Sequence, residues 1–115
     1  MSDLKVKVGG SVEEDGAAFI DAWKRAERGE KVAEHRITFE SWEALSKVLT
    51  GKRLELLRYL HKNPASSIAA LSRALDRDYK RVHEDVETLT AAGLIDRDAS
   101  GLRAEYDEIR ATIAL

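Results

Sequence analysis

The sequence predicts an α+β fold that is mainly helical, and three observations lead to that prediction. Apolar residues recur at helical spacing through most of residues 41–93, which indicates several short helices. Apolar and polar residues alternate in three other segments, LKVKV, HRITFES and EIRATIAL, as they do in half-buried strands. With 115 residues, 43% of them apolar, the chain is long enough to bury one modest core.

Composition excludes several classes of protein and site. The sequence contains no cysteine, which removes disulfides and any metal site or nucleophile built on a thiol. It has no apolar run approaching the roughly 18 residues of a membrane span, and its first residues do not resemble a signal peptide. We therefore expect a cytoplasmic protein with no membrane partner.

Residues 1–35 are predicted to form a strand–helix extension to a larger domain, residues 36–115. In the extension, the strand LKVKV ends at a pair of glycines, and a helix follows in which Phe19 and Trp23 share one face. Large aromatic side chains on one helix face are more often core or subunit-interface anchors than ligand-binding groups. The extension is therefore expected to support dimerisation or partner binding.

Three short helices are predicted after the strand HRITFES. The first either ends at Gly51 or bends there. The second carries the apolar stripe of LELLRYL and ends before Pro64, because the residue that precedes a proline avoids helical angles. Ser67 has the side chain that caps the start of a helix, and it stands just before the third.

A fourth helix is predicted within the run RDYKRVHEDVETLTAAGLI, Arg77 to Ile95. Val82 and Val86 are four residues apart and are expected to face the core. Asp78 is placed to cap the helix, and Gly93 to end it. If the valines point inward, the cationic and aromatic side chains between them must point outward.

A short polar turn joins the third and fourth helices, and a β-hairpin is predicted directly after the fourth. The hairpin would begin at Leu94, turn at residues 98–101 and return through residues 103–106. Two short helices joined in this way indicate a helix-turn-helix, and the hairpin makes it a winged helix-turn-helix. The last strand, EIRATIAL, is expected to pair with HRITFES within a subunit or across a dimer.

The exposed first turn of the fourth helix is the candidate functional site. The chain as a whole has a net charge of −2, but residues 51–93 carry 8 basic and 6 acidic side chains. In a helix-turn-helix the exposed residues at the start of the second helix contact base edges in the major groove, and hairpin side chains contact the backbone. The predicted DNA contacts are Ser67, Arg73, Arg77, Tyr79, Lys80, Arg81, His83, Glu84, Arg97 and Arg103.

The runs RLELLRYL, RDYKRVHEDVETLTAAGLI and YDEIR resemble winged-helix regulators of the MarR/ArsR kind. The resemblance covers roughly residues 36–113 and is closest to small prokaryotic DNA-binding proteins described as MarR-like antitoxins. It implies a transcriptional regulator that binds double-stranded DNA through a winged helix-turn-helix. It also implies a cognate toxin as a partner and autoregulation by the antitoxin.

The expected function is that of a dimeric, sequence-specific DNA-binding repressor. The elements beyond a minimal winged helix are expected to join the subunits. The predicted dimer-interface residues are Phe19, Trp23, Ile37, Phe39, Ile109 and Ile113. Two alternatives stay open: a protein-binding module that neutralises a toxin, and a winged helix that serves only as a scaffold.

Catalytic and metal-binding patterns are missing from the sequence. It has no Ser-His-Asp spacing, phosphate loop or pair of catalytic carboxylates. His35, His61 and His83 stand far apart and lack the spacing of metal ligands. Neither an enzyme nor a bound metal or cofactor is expected.

Overall fold

The computed structural model describes residues 3–9 and 34–115. The predicted helix that carries Phe19 and Trp23 lies outside the described residues. Within them the fold is mixed α and β, with four helices and five strands. The strands are β1 (Asp3–Val8), β2 (Glu34–Phe39), β3 (Asp96–Asp98), β4 (Gly101–Arg103) and β5 (Glu108–Ile113). The helices are α1 (Trp42–Val48), α2 (Gly51–Lys62), α3 (Ile68–Leu75) and α4 (Tyr79–Ala91).

Strand β1 is the centre of a three-stranded sheet in the order β2-β1-β5, and both pairings are parallel. Val6 lies opposite Ile37 on one side and Ala111 on the other. The alternation of LKVKV is reproduced, since Leu4 and Val8 are buried with Val6 while the intervening lysines are half-buried. Within the chain EIRATIAL therefore pairs with β1, and the predicted pairing with HRITFES within a subunit is wrong, because β1 lies between them. The alternative pairing across a dimer stays a prediction.

Contacts divide the chain into two compact units. The first contains the three-stranded sheet, and the second, residues 43–106, contains α2, α3, α4, the β3–β4 hairpin and α1 except its first residue, Trp42. This division differs from the predicted boundary between residues 35 and 36, because β2 and β5 both pair with β1 and so join its unit.

The core of the helical unit is built from the apolar stripes that the periodicity predicts. The residues with no exposed surface are Leu56, Leu60, Leu71, Val82, Val86, Leu89 and Leu94. Gly51 follows a break between α1 and α2 rather than a bend, since Thr50 caps α2 by accepting a hydrogen bond from the Arg53 amide at 3.3 Å. Large-to-small changes at such fully buried positions cost the most stability in a core.

Local hydrogen bonds define the turn between α3 and α4. Asp76 adopts a left-handed conformation, with φ at 51°. The Asp76 amide donates to the Arg73 carbonyl at 3.2 Å and the Arg77 amide donates to the Ser72 carbonyl at 3.1 Å, and these two hydrogen bonds close the end of α3. Asp78 then caps α4, because its carboxylate accepts a hydrogen bond from the Arg81 amide at 3.2 Å.

The hairpin begins two residues later than predicted. Gly93 takes a left-handed φ of 86°, and the Leu94 amide donates to the Leu89 carbonyl at 2.8 Å, which ends α4. Leu94 and Ile95 are then buried in the core instead of pairing in the ladder, so β3 starts at Asp96. Among the described residues, none of the helices is long and apolar enough to cross a lipid bilayer.

Candidate functional site

The first turn of α4 presents a group of polar side chains to solvent. Val82 and Val86 are completely buried on the opposite side of the helix. Tyr79 is 52% exposed, and Lys80 and Arg81 are exposed as well. Glu84 is exposed one turn further along. This is the orientation that the apolar periodicity predicts.

The start of α4 is electrostatically suited to anions. The first amides of a helix lack internal partners and carry a partial positive charge. The Asp78 carboxylate accepts a hydrogen bond from one of these amides, that of Arg81, and the positive end of the helix dipole partly offsets the negative charge of Asp78. Lys80 and Arg81 add two full positive charges beside it. An anion that approaches this turn therefore meets cationic side chains and the favourable end of the helix dipole.

A cleft of about 330 Å³ lies between this turn, the start of α3 and the hairpin. Its lining includes Ser67, Tyr79, His83 and Arg97. The rings of Tyr79 and His83 are 5.9 Å apart, and His83 Nε2 is 3.7 Å from Glu87 Oε1. The cleft thus brings together four of the sequence-predicted residues.

Ser67 has a structural role at the start of α3. Its Oγ accepts a hydrogen bond from the Ala70 amide at 3.0 Å. We expect Ser67→Ala to lower the free energy of unfolding by about 1 kcal/mol, the usual cost of losing such a cap. Urea unfolding followed by circular dichroism would measure the change. Ser67→Asp is the control, since it restores a capping oxygen, and equal stability of the alanine variant and wild type would contradict the assignment.

The two hairpin arginines are both paired with acids. Arg97 Nη1 lies 2.7 Å from Glu87 Oε1. Arg103 lies 2.6 Å from Asp98 and 2.9 Å from Glu105. Hydrogen bonds from Arg103 and Ser100 hold the pKa of the Asp98 carboxyl well below its usual value. Neither guanidinium therefore adds a surplus positive charge to the hairpin.

The base of the hairpin is fastened to the helical core by hydrogen bonds. The Tyr106 hydroxyl donates to the Leu94 carbonyl, and burial raises the pKa of that hydroxyl. His61 Nδ1 donates to the Ala104 carbonyl at 2.7 Å. These contacts give both ends of the hairpin a fixed position within the helical unit.

The two remaining predicted arginines differ in environment. Arg73 is exposed in the last turn of α3. Arg77 is half-buried, and its guanidinium lies 2.8 Å from the carboxylate of Asp85. Asp85 also binds Arg53 at 3.0 Å. Asp85 and Arg53 were not predicted from the sequence. Asp85 lies three positions after Val82, on the apolar stripe of α4, and its burial could have been predicted from that position.

The residues predicted for a dimer interface lie on the sheet where the structure describes them. Phe39 is buried, and Ile37 and Ile109 are half-buried. Ile113, on the edge strand β5, is 51% exposed. Phe19 and Trp23 lie outside the described residues. The exposed part of the predicted set is therefore concentrated on β5.

Comparison with known proteins places the chain in a family. The HVO_A0114 family model matches residues 48–111, which is more than half of the chain and includes α2, α3, α4 and the hairpin. Comparison with curated proteins and with solved structures gave no match. The chain belongs to the HVO_A0114 family.

Proposed function

We propose that the protein binds double-stranded DNA with a winged helix-turn-helix in which α4 is the recognition helix. One observation carries the proposal: Val82 and Val86 are fully buried, so Tyr79, Lys80 and Arg81 are exposed together at the start of a helix that follows a turn. A recognition helix enters the major groove with this end. The order helix, turn, helix, hairpin supports the same fold.

The side chains of this turn have the chemistry that base and phosphate contacts need. Lys80 and Arg81 can donate to phosphate oxygens or to the acceptors of guanine. Tyr79 can donate its hydroxyl to phosphate and place its ring against a thymine methyl group. Glu84 can accept from the amino group of cytosine or hold Lys80 through a helical charge pair. The site therefore combines affinity from charge with readout of base edges.

The hairpin has a smaller electrostatic role in this proposal than a basic wing would have. Arg97 and Arg103 each lie within 3 Å of a carboxylate, so their charges are already balanced. A phosphate must compete with those acids before it gains an arginine. We therefore assign most of the affinity to α4.

A dimeric repressor is the form of this function that we favour. Two recognition helices on successive major-groove faces of a palindromic site would stand about 34 Å apart. The exposed apolar side chain of Ile113 on the edge strand β5 supports a contact between two subunits. The resemblance to MarR/ArsR regulators is in agreement with a repressor that blocks RNA polymerase.

A protein-binding module, such as an antitoxin that neutralises a toxin, is the second candidate. It is favoured by the same edge strand, because an exposed strand with apolar side chains is a template for another chain. The net charge of −2 also limits non-specific attraction to DNA. DNA binding through α4 can coexist with toxin binding at β5, although a toxin and a second subunit would compete for that edge strand.

Removal of the two exposed cations of α4 tests the proposed function. We expect Lys80→Ala combined with Arg81→Ala to weaken binding to DNA from upstream of the protein's own gene at least about 30-fold, because each strong contact contributes about 1–3 kcal/mol. A gel-shift titration at several salt concentrations should also show a shallower salt dependence, by about one unit for each lost phosphate contact.

Lys52→Ala is the matched control, because it removes an exposed lysine of α2 that lies 3.8 Å from Glu55. It should leave DNA binding nearly unchanged. If the double variant binds the DNA as tightly as wild type, α4 is not the recognition helix. If wild type shows no preference for any sequence even at low salt, the fold serves as a scaffold or a protein-binding module instead.

A further inference from the structure

Asp85 is a carboxylate held almost entirely inside the helical unit. The residue is only 9% exposed and lies among the buried apolar side chains of α4. Both of its oxygens are used: Oδ1 accepts from Arg53 Nε at 3.0 Å, and Oδ2 accepts from Arg77 Nη2 at 2.8 Å. A buried carboxylate is costly unless such charged hydrogen bonds compensate it.

Arg53 extends this cluster to the end of α1. Its Nη1 donates to the Lys47 carbonyl at 2.8 Å and to the Val48 carbonyl at 3.1 Å. These carbonyls are at the C-terminal end of α1, where the helix dipole favours a positive charge. One guanidinium therefore joins α1, α2 and α4.

Arg77 extends the cluster in the other direction, to the turn that precedes α4. Its backbone amide is bound to the Ser72 carbonyl of α3, and it follows the left-handed residue Asp76. Its side chain reaches forward to Asp85, eight residues later and about two helical turns into α4. The turn and the body of α4 are thus connected by a charged hydrogen bond as well as by the backbone.

From this geometry we propose that Asp85 is a positioning residue for DNA binding and that Arg77 acts through Asp85 rather than by contacting phosphate. The inference rests on the proposed function. Two guanidinium groups, approaching from α2 and from the turn, fix the rotation of α4 about its axis. That rotation decides where Tyr79, Lys80 and Arg81 point, and a small misplacement of donors loses base contacts.

The directional character of these bonds is the reason for assigning them a positioning role. A guanidinium donates within a rigid plane, so its bonds to a carboxylate constrain orientation as well as distance. Apolar packing of Val82 and Val86 fills the core but tolerates small rotations better than a fixed hydrogen-bond network does. The cluster therefore constrains the orientation of α4, whereas the buried valines contribute apolar packing.

The salt dependence of DNA binding separates a positioning residue from a phosphate contact. A lost phosphate contact reduces the slope of log K against log salt concentration by about one, whereas a misplaced helix loses affinity chiefly through base contacts. The experiment compares Arg77→Ala, Asp85→Asn and Lys80→Ala with wild type in gel-shift titrations at several salt concentrations. Amide hydrogen exchange of α4 is measured on the same proteins without DNA.

We expect Arg77→Ala and Asp85→Asn to weaken binding at least about tenfold, with the wild-type salt slope retained, and to accelerate exchange in α4 several-fold. Lys80→Ala should reduce the slope and leave exchange unchanged. Arg77→Gln is the second variant if Arg77→Ala fails to fold, because it keeps a polar side chain but lacks the charge that a phosphate contact needs. It should retain the wild-type slope.

A slope reduced by about one in both Arg77 variants, with unchanged exchange, would show that Arg77 contacts phosphate and would overturn the inference. Wild-type affinity in Arg77→Ala would overturn it as well. If the wild-type protein binds no DNA at all, the proposed function fails and the DNA role of Asp85 fails with it. Intact wild-type binding with unaltered exchange in Asp85→Asn removes the positioning role alone.

Discussion

Asp85→Ala is expected to lower the free energy of unfolding by about 3 kcal/mol, the lower end of the range for breaking a buried ion pair. The change leaves Arg53 and Arg77 inside the unit without their counter-charge. Their side chains are only 18% and 21% exposed, so water can compensate them in part but not fully. Urea unfolding of the full chain, followed by the helical circular dichroism signal, measures the loss.

Glu87→Ala is the matched control for Asp85→Ala. Glu87 is an acid on the same helix and is paired with Arg97 at 2.7 Å, but its side chain is 51% exposed. Exposed pairs contribute little, so we expect a change within about 0.5 kcal/mol. Equal losses in the two variants would show that burial of the Asp85 cluster contributes nothing to stability.

Gly101→Ala is expected to have a comparably large effect, a loss of at least about 3 kcal/mol, because a backbone conformation reserved for glycine and a steric overlap act together. Gly101 has a φ of 128°, which side chains rarely allow. An added Cβ would overlap the carbonyl oxygen of Ala65 and approach Ser66 Cα to 3.1 Å. Both neighbours are backbone atoms and cannot rotate away.

The loss should appear where the hairpin meets the segment before α3. Ala65 and Leu102 exchange two hydrogen bonds, of 3.1 and 2.8 Å, next to Gly101. We therefore expect the Leu102 amide to exchange with solvent much faster in Gly101→Ala, in addition to the lower stability in urea.

Gly51→Ala is the control of opposite sign. A Cβ at Gly51 meets no atom within 4 Å, and the residue opens α2. Alanine there should stabilise the protein by up to about 1 kcal/mol, because it restricts the unfolded chain and favours the helix. If both glycine variants change stability in the same direction, the local geometry at Gly101 is not the cause.

The helices and their caps follow from local sequence. Ser67 and Asp78 cap α3 and α4 as predicted, and the buried pair Val82 and Val86 fixes the exposed face of α4. These features depend on side chains within four residues of one another, so the periodicity and the capping preferences determine them. The exposed candidate site could therefore be read from the sequence.

Long-range contacts did not follow from the sequence in the same way. The position of Asp85 on the apolar stripe of α4 indicates burial but not its partners, since only the fold brings Arg53, from 32 residues away, to its Oδ1. Alternation identified β1 and β5 as strands but not their parallel pairing, because side-chain period is the same whichever neighbour a strand has. The first strand of the hairpin begins later than predicted for a similar reason. Leu94 and Ile95 have the composition of a strand but are buried in the core and do not pair with β4.

The order β2-β1-β5 governs how the protein is completed during synthesis. The helical unit is one uninterrupted stretch, residues 43–106, whereas the sheet is assembled from both sides of it. Glu108, the β5 residue that is paired with Asp3, is synthesised only after the whole helical unit. A released chain that ends before residue 108 would therefore contain all the residues of the helical unit but leave one edge of β1 without its β5 partner, and unpaired strand edges are prone to aggregate.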